Sequence, residues 1–262
     1  MNRNSLIFAR SLLATNMKGA LALRGAFAMQ VAFMALNNLT FFVFWWALMA
    51  RVPVIRGWRL GDVQLLFGMV ATAVGLTVTF AGGVRQLGRF IEGGDLDTLL
   101  TQPRSVLVYA LGMRSSPSGI GDVLAGVFLI ATSGYLSWRS APLLIVAIGG
   151  SAVVFLATGV LFSSAAFWLD RVESIARQTW ELLITFSLYP EPLFGGVLRL
   201  ALFTILPAGF VGYLPVAVVR SPSTPQVCLL IAAAAGYLAL AVLVFNRGLH
   251  RYASGSRFNT FG

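Results

Sequence analysis

Cysteine, histidine and lysine each occur once in this chain, and charge of either sign is scarce. With Cys228 alone, neither an intrachain disulfide nor a cysteine-based metal cluster can form. The one histidine, His250, lies in the C-terminal tail, so the apolar body cannot assemble a His-containing triad or a His-rich metal site. Lys18 is the one lysine and does not stand in a G-x-x-x-x-G-K-S/T loop, so the chain is not expected to hydrolyse ATP by itself. Acidic and basic residues make up 11% of the sequence, against about 25% in a soluble domain. That is too little charge to cover a water-facing surface. None of the nine acidic residues stands at the centre of an apolar segment, where a proton- or sodium-coupled carrier usually buries at least one. Glu181 is the sole contender, near the end of a broken segment.

What is present is apolar: 58% of 262 residues, with a mean hydropathy of +0.83. A bilayer core takes about 20 apolar residues per helix. The expected fold is an all-α polytopic membrane protein with six transmembrane helices, forming a single transmembrane domain over residues 1–262. The net charge of +10 is spread over the ends of apolar segments rather than gathered in one patch. It therefore points to anionic membrane lipids and to orientation, not to nucleic acid. No cleavable signal peptide is evident, because Arg10 interrupts the first apolar run.

Residues 3–24 read as an amphipathic surface helix, with Arg3, Arg10, Lys18 and Arg24 on one face. The first span is Ala26 to Ala50, ending in a Trp45–Trp46 interfacial belt. Asn37, Asn38 and Thr40 lie within it, suited to interhelical hydrogen bonds or to substrate contact. Phe41, Phe42 and Phe44 are packing aromatics. The second span, Val63 to Val84, is rich in Gly and Thr, including Gly68, Thr72, Gly75 and Thr79, which permits close helix packing. The third runs from Ile120 to Trp138, the fourth from Pro142 to Leu169 and the last from Val227 to Phe245.

Residues 178–220 do not read as one regular span. Tyr189-Pro190-Glu191-Pro192 breaks them once, and Pro207, Gly209, Gly212 and Pro215 break them again. Irregular backbone at membrane depth must be buried in protein or face a water-filled cavity. Two layouts are open: residues 178–189 cross and 190–219 form an outer hairpin, or 197–219 make the crossing. In the first layout, with the N-terminus inside, the outer segments hold Arg51, Arg56, Arg59, Arg139, Arg199 and Arg220. The other 13 of the 19 basic residues stay inside, as the positive-inside bias requires.

The segment from Arg85 to Arg104 is the longest polar interruption. Its pattern is a short helix, a Gly93-Gly94 turn and a second short helix, with Asp95 at the N-cap, Asp97 in the first turn and Pro103 as a stop. Phe90, Ile91, Leu96, Leu99 and Leu100 are apolar knobs among charges, the makings of a docking element for a soluble partner.

Ile91, Gly94, Leu96, Asp97, Leu100 and Pro103 follow an I-x-x-G-x-L-D-x-x-L-x-x-P pattern that resembles the permease subunits of bacterial type-2 ABC exporters of the small six-span class. A second likeness lies in Tyr189-Pro190, Gly196, Arg199, Pro207, Gly209, Tyr213 and Pro215. The resemblance implies a cytoplasmic coupling helix within 85–104, including Arg89 and Asp95, seated on a separate P-loop ATP-binding subunit. It also implies a re-entrant hairpin over 190–219, two ATP-binding subunits holding ATP and Mg2+, and a second permease, identical or related. The chain itself would bind no cofactor, and both termini would face the cytoplasm at the inner membrane. Asn37, Asn38, Thr72 and Thr79 are the candidate pathway residues. From other classes, a membrane scaffold without transport and an ion-coupled carrier remain open.

Overall fold

The computed structural model describes residues 3–101, 105–114 and 116–252, without the side chains of residues 3–10 and 13. The described residues are helical and hold no strand; one isolated bridge, Ile55 to Trp58, closes a tight turn between two of the helices. The helices are α1 Arg3–Ala22, α2 Arg24–Arg51, α3 Leu60–Ala81, α4 Leu87–Glu92, α5 Asp97–Leu100 and α6 Val106–Gly112. They continue as α7 Ser118–Thr132, α8 Ala141–Ser164, α9 Val172–Ser187, α10 Gly196–Thr204, α11 Leu214–Arg220 and α12 Thr224–Arg251. This is an all-α polytopic membrane protein. Four helices, α2, α3, α8 and α12, are long and apolar enough to cross a bilayer by themselves. The third expected span is shorter than its apolar run, because α7 ends at Thr132.

The core is built around α3, whose apolar stretch is 89% buried, against 11% for α2 and 17% for α12. The reason is a glycine register. Gly61, Gly68 and Gly75 recur every seventh residue on one face of α3, and Gly119, Gly126 and the C-cap Ser133 do so along α7. Antiparallel packing sets Gly68 against Gly126 and Gly75 against Gly119: a Cβ on Gly68 would stand 2.7 Å from the Gly126 carbonyl oxygen, and one on Gly75 2.6 Å from that of Gly119. Hydrocarbon gives helices no hydrophobic reason to associate, so such backbone contact supplies the attraction. The far face of α7 packs on α2, where Gly121 meets the Val31 backbone.

The chain has two ends. At one, the α2–α3 connection turns through Arg56 and Gly57, both left-handed (φ 48° and 83°). This is the paired positive-φ geometry of a tight hairpin turn. At the other end lie α4, α5 and α6, and α1 packs on α6, its Asn16 amide donating to the Gly112 carbonyl at 2.8 Å. Helix α9 joins the two ends. It begins beside Glu92 and finishes where Tyr189 packs edge-on to Trp45, ring centres 5.8 Å apart. Trp45 is therefore core, and of the expected tryptophan belt Trp46 alone faces outward.

Helices α10 and α11 form a bent pair, 75° apart. Both ends of the stretch are held to the same α2–α3 connection: Arg56 donates to the Pro192 carbonyl at 2.6 Å, and Arg220 donates to that of Gly57 at 2.7 Å. Between them, Gly209–Tyr213 form a single π-helical turn. Its backbone is buried, and the Ser151 hydroxyl donates to the Val211 carbonyl, which satisfies an acceptor that lipid could not.

Candidate functional site

The polar interruption folds as a short helix, a turn and a one-turn helix, as its residues imply. Gly94 takes the left-handed conformation (φ 79°) that the turn needs. The cap position falls on Leu96 rather than Asp95, and Asp97 is the first helical residue. The expected docking knobs require correction. Phe90, Ile91, Leu96 and Leu99 are all buried in the chain's own core, and Leu100 alone is exposed. Apolar side chains in a short polar segment are drawn to the nearest interior, here against α8 and α9 for α4 and against α6 for α5. The outward surface is instead Arg89, Gly93, Asp95, Thr98, Leu100 and Thr101. Pro103 lies outside the described residues. Tyr252, just past α12, faces this turn. Its phenol is pushed up to about 12, by burial first and then by the neighbouring carboxylates of Asp97 and Asp95.

Two contacts fasten α4 to α9. The Glu92 carboxylate accepts from the backbone amides of Val172 and Glu173, occupying the positive end of the helix. Arg89 pairs with Glu173 at 3.4 Å. At the other end of α9, Tyr213 donates to the Phe186 carbonyl, and Gly212 is so close that a Cβ would stand 2.6 Å from the Ser187 carbonyl oxygen.

A cavity of about 630 Å³ opens between α2, α3 and α9. Its walls are aromatic and aliphatic (Phe41, Phe44, Trp45, Phe67, Trp180 and Tyr189 among them), and its polar groups include Asn37, Asn38, Thr40, Arg85, Asp122, Glu181 and Thr185. Asn38 donates to Asp122 at 2.6 Å, so its interhelical role is real. Asn37 is exposed beside it. Thr72 and Thr79 do not line this cavity. They are buried on the glycine face of α3, Thr72 against Gly126 and Thr79 against Gly119, while Phe67, Val70, Ala71, Val74 and Val78 form the wall. Asp122 is the residue that sequence reasoning passed over. It is buried, and its second oxygen has no hydrogen-bond partner. An acid is thus buried within an apolar helix after all. The signal was a carboxylate three residues after the Gly119 of a heptad glycine series.

A second cavity of about 500 Å³ lies toward α4. Arg85, Arg89, Arg114 and Arg177 line it with Glu173 and Glu181, and it shares Val78, Arg85, Trp180 and Glu181 with the aromatic cavity.

At the α2–α3 end, Asp62 is the hub. One carboxylate oxygen accepts from the Arg59 amide at 2.7 Å. The other accepts from the Tyr135 hydroxyl and lies 3.3 Å from Arg220. Arg220 also stacks over Trp58. The Tyr135 phenol is pushed up to about 12, by burial first and then by Asp62, with Arg220 and Arg59 opposing. Of the expected gate residues, Tyr189, Pro190, Pro207, Gly209, Tyr213 and Pro215 cluster in this half around the bent pair. Arg199 pairs with Glu191, and Gly196 (φ 56°) opens α10.

Helices long and apolar enough to cross a bilayer, with a polar turn latched to α9, define a multi-pass membrane protein. A family model described as ABC-2 family transporter protein matches residues 35–256, and the chain belongs to that family: it is a type-2 ABC permease. No curated protein and no solved structure matches it significantly.

Proposed function

We propose that the chain is the membrane half of an ATP-driven exporter in the bacterial inner membrane. In this reading α2, α3, α7, α8, α9 and α12 are the six crossings, the termini and residues 82–117 face the cytoplasm, and residues 190–219 are a re-entrant hairpin on the outer side. The layout with 197–219 as a crossing is disfavoured, because both ends of that stretch are tied to the α2–α3 connection. Two P-loop subunits, carrying ATP and Mg2+, press on the exposed turn at Gly93, Asp95 and Thr98. A second permease, identical or related, packs on the face of α2, where Gln30 and Asn37 line a groove of about 680 Å³. Amides facing lipid are costly, and pairing across a helix interface relieves that cost.

The observation that carries this reading is the latch of Glu92 and Arg89 on the start of α9. A push on the turn is delivered to α9, and the far end of α9 holds Tyr213 of the hairpin. The test is purification of the tagged chain from its native membrane, followed by transport in proteoliposomes. A stoichiometric P-loop ATPase and ATP-dependent transport support the exporter, and a membrane scaffold would show neither.

Asp122 favours a second reading, an ion-coupled carrier, since buried intramembrane acids often mark ion pathways. That reading requires transport that survives ATP depletion and collapses with the proton gradient.

A further inference from the structure

We infer that the two joined cavities form one site for an amphiphile with a phosphate-bearing headgroup, the headgroup among Arg85, Arg114 and Arg177 and the chain along the aromatic walls. This deepens the transport reading and rests on it for the amphiphile's being cargo. Binding itself does not depend on it.

Charge is the first indication. Of the four arginines in the smaller cavity, Arg89 has a carboxylate partner in Glu173. Among the described residues no acid lies within ion-pair distance of Arg85, Arg114 or Arg177. The cavity carries four positive groups against Glu173 and Glu181, a net excess that attracts an anion. Guanidinium forks match phosphate oxygens in geometry as well as in charge. The three arginines also come from three separate parts of the chain: the turn after α3, the α6–α7 junction and α9. An ordinary juxtamembrane cluster would run along one segment.

Continuity is the second. Val78, Arg85, Trp180 and Glu181 belong to both cavities. The larger one is bounded by Phe41, Phe44, Trp45 and Phe67, with no basic residue besides Arg85. Polar head and apolar tail requirements therefore meet at Trp180, about where the headgroup of an inner-leaflet lipid would sit. A free phosphate would satisfy the arginines and leave the aromatic cavity unused, so a chain-bearing phosphate fits the whole space. Asp122 stands on the tail side and Glu181 at the junction, and both disfavour a second anionic group beyond the arginines.

Tryptophan quenching tests this directly on the full chain. The protein is placed in phosphatidylcholine vesicles containing phosphatidylglycerol with brominated chains, or brominated phosphatidylcholine alone. Trp180→Phe identifies the part of the signal that belongs to Trp180. The expected result is saturable quenching of Trp180 by the brominated phosphatidylglycerol. Arg85→Gln, Arg114→Gln and Arg177→Gln should each weaken it by about tenfold, as the loss of one charge-assisted contact implies. These side chains are exposed, so folding should persist, which retained size-exclusion profiles verify. Equal quenching by both brominated lipids, or no effect of the arginine changes, overturns the inference. A saturable change in Trp180 emission with millimolar inorganic phosphate, without brominated-chain quenching, would mean a phosphate site alone and overturns the amphiphile. If quenching holds but no ATPase co-purifies, the exporter reading fails and the site stands. ATP-driven transport without selective quenching has the opposite meaning.

Discussion

Glu92 and Val172 are 80 residues apart, and the Glu92 carboxylate accepts the Val172 backbone amide at 2.6 Å, with the Glu173 amide at 3.1 Å. A side chain at the end of one short helix thereby serves as the cap of another. Removing it should loosen the link without disturbing the apolar core. Glu92→Ala should cost roughly 1 kcal/mol of local stability and lower transport per ATP hydrolysed several-fold. Glu92→Gln keeps an acceptor oxygen and should recover part of the loss. The ratio of transport to ATPase rate in proteoliposomes measures this, and equal coupling in all three proteins would contradict the latch.

The turn between α4 and α5 has an inside and an outside, and substitutions should separate them. Asp95→Arg and Leu100→Arg alter exposed positions and should reduce co-purification of an ATPase while leaving the thermal midpoint near its original value. Leu96→Ala, at a position with no exposure, should cost about 3 kcal/mol and lower that midpoint. Proline at Asp97 removes the amide that donates to the Gly94 carbonyl at 3.1 Å, and Leu100→Pro removes the one that donates to the Leu96 carbonyl at 3.0 Å, so these two are the helix-breaking probes.

Glycines in the α3–α7 register should resist any enlargement. A Cβ at Gly126 would come within 2.6 Å of the Gly68 carbonyl oxygen, so Gly126→Leu should prevent the two helices from closing and abolish monodisperse protein. Gly236 has nothing within 4 Å of its would-be Cβ, and Gly236→Ala should behave like the parent. Fluorescence-detected size exclusion distinguishes the two.

Asp62 binds three parts of the chain, and its loss should release the bent pair. In a Cys228→Ser background, Ser187→Cys places a thiol at a position with no exposure. It should label slowly with a membrane-impermeant maleimide. Asp62→Ala should speed that labelling about tenfold, the equivalent of losing one buried charged hydrogen bond. Asp62→Asn, which keeps one acceptor oxygen for the Arg59 amide and loses the charge that holds Arg220, should lie between. Unchanged labelling in Asp62→Ala would show that the hub does not restrain the pair.

Much of this arrangement was legible in the residues. The long apolar helices, the glycine-rich packing of the second span, the Gly93–Gly94 turn and the break at Pro190 all follow from local chemistry. Residues 178–189 resisted because Glu173, Arg177 and Glu181 make α9 less apolar than its neighbours. Its role emerges from contacts with Glu92 and Trp45 that lie far away in sequence. Phe90 and Leu96 were misjudged for a related reason: an apolar residue between charges signals burial, but not whether the interior is its own or a partner's. Thr72 took the opposite course, a polar group that serves packing because its hydroxyl bonds its own helix at Gly68, while Thr79 packs on Gly119 with its hydroxyl unpartnered. Asp62, Tyr135 and Arg220 carry no shared pattern, and only folding brings them together.

The matched sevenfold spacing of glycines on α3 and α7 fixes length as strictly as it fixes contact. One residue inserted between Gly61 and Gly75 would rotate everything after it by about 100°. Phe67, Val70 and Val78 would leave the cavity wall, Gly75 would miss Gly119, and Glu92 would swing away from α9. Relatives of this chain should therefore conserve both the residue count of α3 and its glycines, and insertions should collect in the connection before Gly61 or the turn after Glu92. Together the two helices serve as a ruler.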